Sequence, residues 1–234
     1  MPIVVVDTNV SLPATLAATG LTRKFWILLA FGAATYRADH LRLELDALQR
    51  EAAGVEGEIV GRESLDRLIA QAEHARATME ELLPVGTPSD WVAVGGVDLF
   101  SEYERKVGPV AAKLRLDPAP DPAVARRQVE AVCVAAEAAF DPAQVPALTP
   151  DPDDDLIVWT ALSAHADLLV SDDKDIVPAA EDGSCVYEHG DKRVLAVRFG
   201  HLVANHLDDV AWDQIDGAIL PQLYRANAVG SDRL

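Results

Sequence analysis

Ala166-Asp167-Leu168-Leu169-Val170-Ser171-Asp172-Asp173-Lys174-Asp175 runs from a short strand, Asp167 to Ser171, straight into a cluster of acids. Near the start of the chain, Ile3-Val4-Val5-Val6-Asp7-Thr8-Asn9 is built the same way. A short, continuous apolar and β-branched run suits a strand buried on both faces of a parallel sheet. Between the two lie stretches with helical character, around 14–32, 58–83, 97–113, 121–139 and 154–165. A further helix is opened by Asp39 and carries the stripe Leu41, Leu45, Leu48. Thr35-Tyr36-Arg37 reads as a short extended piece, and Pro84 to Pro88 and Pro118-Ala119-Pro120 as breakers. Val186-Tyr187-Glu188 and Val194 to Val197 form a hairpin around His189 to Lys192, followed by helices near 199–208 and 212–226. Strands alternating with helices predict an α/β fold with a mostly parallel central sheet.

Bulk composition agrees with a packed domain. Half of the 234 residues are hydrophobic and 25% are charged, which excludes a disordered chain. The formal net charge of −18 argues against broad neutralisation of nucleic-acid phosphates. It is compatible with a carboxylate metal site, a basic protein partner, or an acidic proteome. Cys133 and Cys185 are the only cysteines, and two reduced thiols are expected rather than a disulfide. The apolar run Phe25 to Ala34 falls short of the about 20 residues a membrane span needs. No signal peptide is evident at the N-terminus, so a cytoplasmic protein without membrane contact is expected.

The acids carry the chemistry. Asp7 and Asp173 each follow a strand, and ligands of parallel α/β sheets bind beyond the carboxyl ends of the strands. Taken singly, an Asp there is as readily a turn or helix cap. Glu44 follows Leu41 by three residues and precedes Leu48 by four, which puts it on or beside the inward stripe of its helix. A buried glutamate is rare unless paired or bound to metal. Asp151-Pro152-Asp153-Asp154-Asp155 opens a helix, where acids favour capping and the helix dipole. Asp155 shares a face with Val158, Trp159 and Leu162, at the start of the buried side. Hard oxygen ligands of this kind suit Mg²⁺ or Mn²⁺, which bind through a few carboxylates plus substrate phosphate.

Three segments together resemble the PIN-domain nucleases, including toxins of the VapC type: Val4 to Val10, Leu41 to Leu45, and Asp151 to Asp155 running on to Ala166 through Asp175. The last resembles the family's pattern of acid, helix, small residues, strand and Thr/Ser-x-Asp-x-Asp, and its spacing selects Asp155 over Asp154. The resemblance implies a three-layer α/β/α fold and four catalytic, metal-holding acids: Asp7, Glu44, Asp155 and Asp173. Asp175 would be an auxiliary metal ligand, with Asn9, Asp154 and Ser171 in support. It implies a Mg²⁺- or Mn²⁺-dependent endoribonuclease acting on single-stranded RNA, with a cognate antitoxin and a homodimer as expected partners. The implied catalytic domain covers residues 1–54 and 141–205, with a helical insertion at 55–140 and a C-terminal helical extension at 206–234.

Two other readings compete. A haloacid-dehalogenase-like phosphatase also places Asp after its first strand, but needs a second acid two residues later, where this chain has Asn9. A PIN-like module without turnover, acting in regulation or partner binding, would be favoured if Glu44 stood outside the cluster. Arg37, Arg42, Lys174, Lys192, Arg193 and Arg198 are candidates to line an RNA path, or ordinary solvated charges.

Overall fold

The computed structural model describes residues 1–52, 62–135, 146–178 and 183–228. Its centre is β1 (Ile3–Val6), which pairs in parallel with β2 (Val92–Gly95) on one side and β4 (Leu168–Val170) on the other. β3 (Cys133–Ala135) extends the sheet beyond β2, and β6 (Lys192–Val197) extends it beyond β4, both in parallel. β5 (Ser184–His189) closes that edge antiparallel to β6, giving the order β3-β2-β1-β4-β6-β5. The chain therefore fills one side of β1 before crossing to the other. The β1/β4 junction is the switch point of the sheet, where open α/β folds form a crevice at the strand C-termini.

Side-chain alternation divides the core into two. Val4, Val6, Leu168, Val170 and Val197 face α2 (Leu21–Ala52), α7 (Phe199–His206) and α8 (Leu220–Ala228), with Phe25, Trp26, Phe199, Leu202 and Leu223 in the same cluster. Val5, Leu169 and Ala196 face α6 (Pro152–Ser163) through Ile157, Val158, Ala161 and Leu162. The fold is thus α/β, with helices on both faces of a mostly parallel sheet, as expected. Helix α6 starts sharply because the Asp151 carboxylate accepts from the Asp153 backbone N–H and Pro152 occupies the first turn. Helix α2 lies hard against β2: a Cβ on Gly32 would come within 1.7 Å of the Trp91 carbonyl oxygen.

The order of elements departs from the expectation in three places. Thr35-Tyr36-Arg37 lies inside the single helix α2 and forms no extended piece; neither Pro nor Gly interrupts residues 33–52. Region 55–140 is not purely helical. Alongside α3 (Arg62–Leu82), α4 (Val97–Lys113) and α5 (Pro122–Val132), it supplies β2 and β3 to the central sheet. β2 is Val92-Ala93-Val94-Gly95, diluted by alanine and glycine, and β3 runs on directly from the apolar end of α5, so neither stands apart as a separate apolar run. The C-terminal segment is part of the main core, since Leu220, Leu223 and Tyr224 are buried in it. The expected boundaries at 54/55 and 140/141, the N-terminal end of the 58–83 helix, the last residues of the 121–139 helix and residues 229–234 lie outside the described residues. Among the described residues, both cysteines are free and no helix is long and apolar enough to cross a membrane.

Candidate metal centre

Asp7 directly follows β1, and its buried carboxylate is held by hydroxyls from both sides. Ser171, the first residue after β4, donates to Oδ2 at 2.6 Å, and Thr8 Oγ1 lies 3.2 Å from Oδ1. The Ser171 oxygen also accepts from Asn9 Nδ2 at 3.2 Å and from the Asp173 backbone N–H at 3.0 Å. Asn9 Oδ1 accepts from the Asp172 backbone N–H, so Asn9 and Ser171 lock the loops after β1 and β4 together. Asp173 Oδ1 then accepts from the Asp175 N–H at 2.9 Å, which turns that loop back on itself.

Asp154, in the first turn of α6, faces this loop. Asp154, Asp173 and Asp175 each offer a carboxylate oxygen, all within 4.8 Å of one another. Three hard oxygen donors at that spacing could hold a divalent cation. Burial, and then the charges of Asp173 and Asp7, push the Asp154 carboxyl up to about 7. Asp7 is pushed up to about 6, chiefly by burial, with the Ser171 hydrogen bond pulling the other way. Both shifts measure the same condition: carboxylates crowded in a poorly solvated place favour any neutralising charge.

A further acid, Glu102, was missed by the sequence reading. It stands on α4, which follows β2 and brings it to the same end of the sheet. Its side chain is only 8% exposed. Thr8 Oγ1 donates toward Glu102 Oε1 at 3.1 Å, and Lys106, one turn further along α4, forms an ion pair with it. Lys106 Nζ also lies 3.4 Å from Thr8 Oγ1. Burial works against the Lys106 charge, but the hydrogen bond and charge of Glu102, with Asp7 and Asp154 behind, hold its pKa above the ordinary lysine value. The signal was present in the sequence: Glu102 falls among Leu99, Tyr103 and Val107, all buried, and has a lysine at i+4.

Two expected site residues need correction. Glu44 is exposed and stands outside the cluster. The stripe Leu41, Leu45, Leu48 is real, but it packs on Leu65 and Ile69 of α3 in a separate small core, and Glu44 falls on its solvent edge. Asp155 is buried beside the cluster but is employed elsewhere. Its Oδ1 accepts from the backbone N–H groups of Leu148 and Thr149 and from the Thr149 hydroxyl, at 2.7–2.9 Å. It ties the segment before α6 to the helix, and its neighbour Asp154 is the one that meets Asp173. The structure thus brings together Asp7, Asp154, Asp173, Asp175, Asn9 and Ser171, adds Glu102, and leaves out Glu44 and the Asp155 carboxylate.

Beside the cluster, a 270 Å³ cleft runs between α4 and α6, lined in part by Ser101, Glu102, Arg105 and Asp153. Arg105 and Asp153 are bridged at 2.9 Å, both exposed. Of the cations expected along an RNA path, Arg37 is buried and donates to the carbonyls of Glu130, Ala131 and Cys133 at the C-terminal end of α5. Arg42 pairs with Glu73 and Arg193 with Glu188, whereas Lys174 is exposed within the acidic loop. No protein-family model, curated protein or solved structure matches this chain.

Proposed function

We propose that the protein is a Mg²⁺- or Mn²⁺-dependent phosphodiesterase, similar to the PIN-domain nucleases, that cuts single-stranded RNA. The observation that carries this reading is the meeting of Asp7, Glu102, Asp154 and Asp173 at the switch point of the sheet, from four separate elements. The acids form one connected arrangement: Asp154, Asp173 and Asp175 offer the donors for a cation, and Asp7 and Glu102 are tied in beside them through Ser171, Thr8 and Lys106. The departure of Glu44 would favour a module without turnover, but Glu102 restores the number of acids and supports the catalytic reading.

The donor set fits the ion. Asp154, Asp173 and Asp175 present only carboxylate oxygens, the ligand class that Mg²⁺ and Mn²⁺ prefer over softer metals. When bound, such an ion supplies an activated water and charge stabilisation for phosphodiester hydrolysis. The chain supplies the positioning. Ser171 and Asn9 fix Asp7 and the Asp173 loop in place, and Thr8 spans Asp7 and Glu102. Lys106 and Lys174 are the cations nearest the acids in space or sequence, and they offset repulsion of a polyanion by a chain of net charge −18.

The test is cleavage of a mixed single-stranded RNA pool by the purified protein with Mn²⁺, with EDTA, and with Asp173→Asn. Cutting that needs the metal and is lost in the variant supports the reading. No cutting by the wild type with Mn²⁺, or cutting unaffected by EDTA, overturns it.

A further inference from the structure

Resting on that reading of the cluster as a metal centre, the geometry points to a site for one divalent ion, with the Lys106 ammonium permanently occupying the place of a second. The acids divide into two groups that are treated differently by the protein. Asp154, Asp173 and Asp175 converge on one another, and among the described residues no lysine or arginine forms an ion pair with them. Asp7 and Glu102 form the other group, and there a cation is already built in.

Lys106 reaches this second group from one turn along α4. Its Nζ pairs with Glu102 and approaches Thr8 Oγ1, whose own oxygen lies between the Asp7 and Glu102 carboxylates at 3.2 and 3.1 Å. With Lys106 donating to Thr8, the single hydroxyl proton of Thr8 is free to serve one of the two carboxylates. The group Asp7–Thr8–Glu102–Lys106 is therefore hydrogen-bonded within itself. A divalent ion binding there would have to displace an ammonium from a mostly buried carboxylate. Two-metal phosphodiesterases place their ions roughly 3.5–4 Å apart, and the Lys106 ammonium already answers the charges of Glu102, Asp7 and Asp154 together. The lysine side chain is half-exposed, so its charge also faces the space a phosphate would enter.

The consequence is a stoichiometry that the lysine sets. Mn²⁺ titrated into the wild-type chain, followed by calorimetry and by electron paramagnetic resonance, should give one ion per chain with the spectrum of an isolated ion. Lys106→Met keeps the stem and removes the charge; it should take two ions per chain and show the exchange-broadened spectrum of a close pair. Lys106→Arg, which keeps a positive charge, should stay at one. Glu102→Gln should still bind the single ion, whereas Asp173→Asn should weaken it by at least about tenfold. Two ions in the wild type, or one in a folded Lys106→Met, overturns the inference while leaving the metal centre standing. No ion in the wild type removes both. Should Lys106→Met fail to fold by circular dichroism, Lys106→Gln replaces it in the same titration, where two ions are expected and one ion overturns the inference.

Discussion

The Ser171 hydroxyl donates to Asp7 Oδ2 at 2.6 Å, joining the residues that follow β4 and β1 across the centre of the sheet. One oxygen atom thereby serves three partners: the Asp7 carboxylate, the Asn9 amide and the Asp173 backbone N–H. Ser171→Ala removes all three in a fully buried position. The Asp7 bond is buried and its loss costs about 1–3 kcal/mol, whereas the Asn9 and Asp173 bonds are part-buried and water can replace them at small cost. A loss of roughly 2 kcal/mol in urea unfolding is expected, together with weaker Mn²⁺ binding as the Asp173 loop loosens. An unchanged unfolding midpoint would show that water replaces the hydroxyl.

Asp7 should make the metal-free protein sensitive to pH in an unusual direction for a carboxylate. Its folded pKa, about 6, stands above the ordinary 3.8 because burial disfavours the charged form. The stability linked to this group is therefore complete below the unfolded value and is lost as pH rises through about 6. Asp154, pushed up to about 7, acts in the same sense. In EDTA, wild-type stability should fall between about pH 4 and pH 7 and level off above that. Asp7→Asn should be more stable than wild type at pH 8 by roughly 2–3 kcal/mol and closer to it at pH 4.5, while losing RNA cleavage. Thermal unfolding of both proteins across that range checks the sign.

Glu102 and Glu44 should separate cleanly in an activity assay. Glu44→Gln alters an exposed side chain and should leave RNA cleavage and stability within error. Glu102→Gln removes a buried charge and the partner of Lys106. Its cleavage rate should fall by about tenfold to a hundredfold. Equal activity of the two variants would return the fourth acid to an open question.

The adjacent acids of α6 should divide their labour in the same way. Asp155→Ala strips acceptors from Leu148, Thr149 and its hydroxyl, so the expected effect is on stability, about 1–3 kcal/mol. Asp154→Asn should fold at least as well as the wild type without metal and lose Mn²⁺ affinity. Chemical denaturation and Mn²⁺ titration of the two proteins distinguish the roles.

Much of this centre was legible before any coordinates. Runs such as Val4-Val5-Val6-Asp7 and Leu169-Val170-Ser171-x-Asp173 declare buried strands and the acids at their ends, because burial on both faces leaves no room for alternation. Asn9 and Ser171 came only with the resemblance to the PIN-domain nucleases. Glu44 misled because a residue 60° from the middle of a helical stripe is as near solvent as core, and α3 covers only the apolar side. Asp155 was preferred to Asp154 on the spacing of the resemblance alone; at a first turn one residue swings a side chain by about 100°, and Asp154 is the one that meets Asp173. Glu102 was hidden because β2, the strand that brings α4 to the site, is four residues ending in glycine. Without that strand, α4 reads as a detached helix.

The parallel pairing of Val4 with Leu168 and Val6 with Val170 also governs when this chain can act at all. During synthesis β1 emerges first and must wait for its central partner. At ordinary translation rates of about 5–20 residues per second, that wait is roughly 8–30 s. Until then Asp7 has no Ser171 and no Asp173, and the acids are scattered along an unfinished polypeptide. Under the proposed function, a chain arranged in this order would stay inert on the ribosome, surrounded by the polymer it is proposed to cut, until β4 slots in beside β1.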